Sequence, residues 1–227
     1  MSVRALIVAI DGPSGAGKGT VARTLATRLR YRHIDTGAMY RAVAWKAVHD
    51  RLDLQNGDVI AALAACAAFD LEGRVRIDGH DVTDAIRTPE MDAAAAIVAR
   101  HSAVRRALVA RQRAYGADGG VVMEGRDIGT VVFPTADVKI YLDATPEERA
   151  RRRASDSAHA LGRGAEAIDS VARALEARDH ADRTRAVSPL TVAPDALYID
   201  TTGQPIERVV EQSLNAVTRA LERVEAR

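Results

Sequence analysis

Leu6-Ile7-Val8-Ala9-Ile10-Asp11-Gly12-Pro13-Ser14-Gly15-Ala16-Gly17-Lys18-Gly19-Thr20 is the stretch whose reading decides the fold of this chain. Five apolar residues form a strand-like run. Downstream, Ala22, Leu25, Ala26 and Leu29 recur at helical spacing, so the glycines fall where a buried strand turns into a helix. Residues without a Cβ let the backbone bring its N–H groups close to an anion, and the helix start adds its dipole. Lys18 adds a full charge that reaches the β- and γ-phosphates of a nucleotide. Gly12 through Thr20 is therefore read as a phosphate-binding loop. At the position where most such loops present a hydroxyl to Mg²⁺ stands Gly19, with the hydroxyl delayed to Thr20. No residue is assigned directly to the metal; Mg²⁺ is expected to be held through water or by another carboxylate. Lysine occurs only at 18, 46 and 139 among 32 basic residues, so a compact ammonium at 18 points to a cradle unsuited to a planar guanidinium.

Outward from the loop, the run ending at Ile34 leads into Asp35-Thr36-Gly37 and a helix bearing Tyr40 and Arg41, placed in its first turn. Phe69 to Val82 is short and alternating, with Glu72-Gly73 and Asp78-Gly79 as hairpin turns, a small antiparallel insertion in an otherwise alternating α/β chain. Helices are expected over about 88–99 and 103–115, the second carrying Arg105, Arg106, Arg111 and Arg113. Val121 to Met123 is a second buried strand, ending in Glu124-Gly125-Arg126-Asp127. Ligands of open parallel sheets bind beyond the carboxyl ends of the strands, so Asp11, Asp35 and this cluster define one site. Val138 to Leu142 is a third buried strand. Thr145-Pro146-Glu147-Glu148 starts a helix carrying Arg149, Arg152 and Arg153 on one face. Residues 154–165, small and polar, suit a mobile flap. A further helix holds Arg178, Asp179 and Asp182, followed by Arg185, and a last strand and an amphipathic helix close the chain. The alternation predicts a parallel three-layer α/β/α core.

At 227 residues and a net charge of +1, the chain can bury a sizeable core and is not a general nucleic-acid or membrane-surface binder. The single cysteine, Cys66, is expected to be a small buried hydrophobe. No apolar run is long enough to span a bilayer and no signal peptide is read, which predicts a cytoplasmic protein. One loop for a triphosphate and a separate supply of arginines at 41, 126, 149, 153, 178 and 185 suggest an acceptor that is itself a phosphate, hence a kinase rather than an ATPase. A kinase of the same fold acting on another metabolite is the nearest rival. A guanine-nucleotide switch lacks an N-K-x-D stretch, and a nucleic-acid binder lacks stacking platforms at 4% aromatic content.

GPSGAGKGT, DTGAMYR, VRRALVARQRAY, EGRDIGTVVFPTADVKIYLDATPEERARRR and RDHADRTRAVSPL occur in an order and spacing that resembles bacterial cytidylate kinases over nearly the whole chain. The first motif is shared by many kinases; the last two are far more specific. The resemblance implies ATP-dependent phosphorylation of CMP and dCMP with Mg²⁺; a monomer that engages neither nucleic acid nor membrane is expected. The resemblance also implies a core (1–38, 117–148, 186–227), a monophosphate-binding insertion (about 39–116) and a short lid (about 149–185). By matching positions, Arg41, Arg126 and Arg178 would grip the monophosphate, with Arg178 and Asp182 near the sugar. Asp35, Thr36 and Tyr40 join the acceptor site, while Arg111, Asp127 and Arg185 would face the base. Arg149 and Arg153 would close over ATP, and Lys18, Arg126, Asp127 and Arg153 would carry the transfer. Family members often place a serine where this chain has Ala96.

Overall fold

The computed structural model describes residues 5–155, 165–185 and 187–226. Strands β1 (Ile7–Asp11), β2 (Arg32–Asp35), β6 (Val121–Glu124), β7 (Val138–Asp143) and β8 (Leu197–Asp200) form one parallel sheet in the order β2-β6-β1-β7-β8. The phosphate loop thus leaves the middle strand. Side-chain alternation sorts the core into two layers. Leu6, Val8 and Ile10 pack with Val122, Ile140 and Leu142 against α1 (Lys18–Leu29) and α8 (Ile206–Glu225). Ala9, Ile34, Val121 and Met123 face the other way. There they meet α2 (Thr36–His49) and α5 (Ser102–Gly116), with α3 (Gly57–Cys66) and α4 (Pro89–Val98) packed behind. The expected three-layer α/β/α architecture is observed.

Between α3 and α4 stand β3 (Phe69–Asp70), β4 (Arg76–Ile77) and β5 (His80–Asp81), an antiparallel patch. Asp78 and Gly79 both have positive φ, 48° and 80°, as a two-residue hairpin turn requires. Helix α4 begins as its sequence dictates, with Thr88 Oγ1 accepting from Met91 N at 3.3 Å and Pro89 in the first turn. Two helices, α6 (Pro146–Ser155) and α7 (Ala165–Thr184), pack on each other and flank the loop. The flap read at 154–165 lies, from 156 to 164, outside the described residues. Helix α2 starts earlier than its motif suggests. Asp35 caps it, accepting from Ala38 N at 3.0 Å, so Tyr40 and Arg41 fall in the second turn and not the first. Cys66 is exposed, contrary to expectation, because α3 buries the stripe through Ile60 and Ala64 and its last residue lies off it. Among the described residues no helix is long and apolar enough to cross a membrane.

Candidate active site

Each of the five parallel strands ends in an acid: Asp11, Asp35, Glu124, Asp143 and Asp200. Three of these ends shape the site. The Asp11 carboxylate accepts from Ile128 N at 2.8 Å and Gly129 N at 2.7 Å, pinning a π-helical turn (Ile128–Val132) that follows Arg126 and Asp127. Burial pushes its carboxyl up to about 6 in spite of those two donors. Asp35, beyond capping α2, accepts from Arg41 Nη2 at 2.9 Å. Glu124 stands 2.9 Å from His33 Nε2, and its Oε1 lies 3.3 Å from where a Cβ on Gly19 would be. The carboxylate therefore occupies the space beside the loop left free by the missing side chain.

The loop itself needs its first glycine. Gly12 has φ +146°, and a Cβ there would lie 1.9 Å from Leu142 O, so loop and strand β7 touch backbone to backbone. Lys18 is 7% exposed and donates to Pro13 O at 2.7 Å. Burial, then repulsion from Arg126, lowers its ammonium to about 7, with Glu124 and Asp11 opposing the shift.

Two cavities open at these strand ends. One, of about 550 Å³, is lined by Ser14, Gly15, Gly17 through Thr20, Asp35, Arg41, Glu124, Arg152 and Arg153. The other, of about 490 Å³, is lined by Thr36, Tyr40, Ala96, Arg105, Asp127, Asp182 and Arg185. They share Gly37, Gly125, Arg126 and Arg178 as a common wall. Arg126 Nε donates to Asp182 at 3.0 Å, and Arg185 Nη1 reaches the same carboxylate at 3.1 Å. Burial, then repulsion from Arg126, depresses Arg178 below the usual guanidinium range. Thr36 Oγ1 is spent on Glu124 O at 2.7 Å.

The structure brings the charged and polar site residues singled out in the sequence to one or other cavity, Asp35 and Arg41 to the loop cavity alone, with two exceptions. Arg111 lines neither cavity; its guanidinium donates to Ala65 O and lies 5.3 Å from the Phe69 ring centroid. Arg105 stands where Arg111 was expected, 3% exposed, ion-paired with Asp127 and 5.8 Å from the Tyr40 ring centroid. The reason is helix phase. The buried stripe of α5 runs through Val104, Arg105, Leu108 and Gln112, so position 111 is turned toward the insertion. Arg149 is the second exception. It is 5% exposed beneath the loop, ion-paired with Asp179 and donating to Ser14 O at 3.2 Å and Ala144 O at 3.1 Å. It braces the loop and does not stand over it.

Sequence reasoning placed Glu124 at the site only as part of its strand-end cluster and gave no role to Asp179, which accepts from Ser14 N at 3.3 Å, or to Arg152, whose guanidinium binds Thr201 Oγ1 and O at 2.8 and 2.7 Å. For Arg105 a signal existed in its neighbour Val104 and its i+7 partner Gln112. For Asp179 none did.

The family model described as cytidylate kinase matches residues 8–219 of this chain. A cytidylate kinase from Pelotomaculum thermopropionicum is 50% identical over 217 residues, spanning 93% of this chain and 95% of that one. One from Desulfitobacterium hafniense is 48% identical over 215 residues, spanning 92% and 91%. Among solved structures, an uncharacterized protein from Eubacterium ventriosum superposes with a TM-score of 0.50 at 10% identity, over 92% of this chain and 96% of that one, a likeness of fold alone.

Proposed function

The chain belongs to the cytidylate kinase family, and on that premise we propose that it transfers the γ-phosphoryl group of ATP to CMP and dCMP by direct in-line displacement. The observation that carries this reading is the shared wall. A triphosphate in the loop cavity and a monophosphate in the second would both contact Arg126 and Arg178. A phosphate oxygen of the acceptor forms a bond to the γ-phosphorus as the bond to the β–γ bridging oxygen breaks, giving the diphosphate and ADP. The acceptor oxygen is already anionic, so no strong general base is required. Lys18, Arg126 and Arg153 neutralise charge on the transferring group, while Arg41 and Arg178 hold the acceptor phosphate.

Cytosine presents a 4-amino donor beside N3 and O2 acceptors. Asp127 is the carboxylate for the amino group and Arg105, in place of Arg111, supplies donors for the acceptors, with Arg185 beside them. Among the described residues Arg105 Nε and Arg185 Nη2 are buried without a hydrogen-bond partner, which suits a base that would provide one. Uracil reverses the first two groups and would leave these partners mismatched. Ala96 lines this cavity without a hydroxyl, so one base contact common in the family is missing here.

For Mg²⁺ the fit is to Glu124, whose carboxylate stands beside Gly19, and Asp35 lines the same cavity. When bound, the ion would supply positive charge that neutralises the nucleotide phosphates. We assign residues 1–38, 117–148 and 186–227 to the core, about 39–116 to the acceptor insertion and about 149–185 to the lid, in a cytoplasmic monomer. Turnover measured with CMP, dCMP, UMP and AMP at equal concentration tests the reading; a preference for UMP or AMP would end it.

A further inference from the structure

Asp92 belongs to no motif and lines neither cavity. It sits in the first turn of α4, on the insertion, and among the described residues its carboxylate meets three guanidinium groups from three other elements. Arg153 of α6 binds one oxygen. Arg178 of α7 donates to the other at 3.1 Å, and Arg41 of α2 stands 3.9 Å from it. All four side chains are between 15% and 22% exposed, so the cluster is largely shielded from solvent. Arg41, Arg153 and Arg178 also line the phosphate-loop cavity. Guanidinium groups repel one another, and for Arg178 the first charge opposing that repulsion is Asp92.

Resting on the function proposed above, we infer that Asp92 is a specificity-determining anion that competes with the acceptor phosphate for Arg41 and Arg178 and holds Arg153 until that phosphate binds. With the acceptor absent, its carboxylate neutralises the three arginines and ties the insertion to α6 and α7. A phosphomonoester brings close to two charges and three oxygens, more than one carboxylate offers, and takes over Arg41 and Arg178 together with Arg126. Repulsion between the arriving dianion and Asp92 then weakens the hold on Arg153, which becomes available to the transferring group. The cost is affinity, because CMP binds against a resident negative charge. The gain is selection, since anions of lower charge do not displace Asp92.

The sign of the effect separates this role from a merely aligning one. If Asp92 competes, removing its charge tightens CMP binding; if it orients the arginines for substrate, removal weakens it. Calorimetric titration of the full chain with CMP and with cytidine, at fixed ionic strength, reads the difference. For Asp92→Asn and Asp92→Ala the expected result is CMP affinity raised about tenfold, with KM for CMP lowered in step, kcat within about twofold of the parent and cytidine binding unchanged. Asp92→Glu, which keeps the charge, is expected to stay near the parent. Unchanged or weaker CMP binding in both charge-removing variants overturns the inference, as does equal tightening for cytidine. A parent protein that binds no CMP overturns the proposed function itself, which is visible before any variant is compared.

Discussion

Raising the pH above 7 removes the proton from Lys18 in the ligand-free protein, and a triphosphate must put it back. Burial and the neighbouring Arg126 hold this ammonium at about 7. A polyphosphate in the loop reverses the sign of its surroundings and returns it toward its ordinary 10.5. At pH 8 about one tenth of Lys18 is protonated before binding and nearly all of it afterwards, so about 0.9 proton is taken up per nucleotide bound. At pH 7 the uptake is about 0.5, and at pH 6 about 0.1. The contribution of this group to affinity is therefore constant well below pH 7 and falls about tenfold for each pH unit above it, up to the range where the bound-state lysine itself titrates. Calorimetric titration with ATP at pH 8 in buffers of different ionisation enthalpy gives the proton number as a slope, at a pH where the free nucleotide is fully ionised. Lys18→Met should reduce that slope to near zero. No uptake at pH 8 in the parent protein, or the same uptake in the variant, would refute the claim that burial and Arg126 depress Lys18.

Further consequences can be measured. Lys18→Met should lower kcat by about 100-fold or more, as loss of a charge-stabilising donor does, while thermal unfolding shows the fold retained. Arg105→Ala leaves Asp127 buried beside a distant Arg185 and should destabilise the protein by about 3 kcal/mol and raise KM for CMP, whereas Arg111→Ala should leave kcat/KM within about twofold. Asp11 has a folded-state value of about 6 against an ordinary 3.8. The folded form thus holds the proton more readily, and the stabilisation, fully present below 3.8, is lost as pH rises through about 6. Relative to Asp11→Asn, whose side chain does not titrate, the parent should lose about 3 kcal/mol between pH 3.8 and pH 7, read from paired denaturant melts. Gly12→Ala, whose Cβ would lie 1.9 Å from Leu142 O, should separate loop from strand and abolish nucleotide binding, seen by titration with ATP.

The architecture and the position of the cleft were legible in the amino-acid order because both rest on local physics. Apolar runs of strand length alternate with helical periodicity, and glycine and lysine at the end of the first run have one chemical use. Asp78-Gly79 announced its hairpin for the same reason, since positive φ at two successive residues selects such a pair. Contacts between distant segments were not legible. Which arginine of α5 turns inward depends on the phase of its buried stripe against the sheet, and that placed Arg105 and not Arg111 beside Asp127. The family resemblance makes Arg149 a lid residue, yet Asp179, 30 positions away, draws it under the loop. Asp92 gathers Arg41, Arg153 and Arg178 across separations of up to 86 residues. Sequence periodicity records which face of an element is apolar. Only packing decides which charges that face brings within reach of one another.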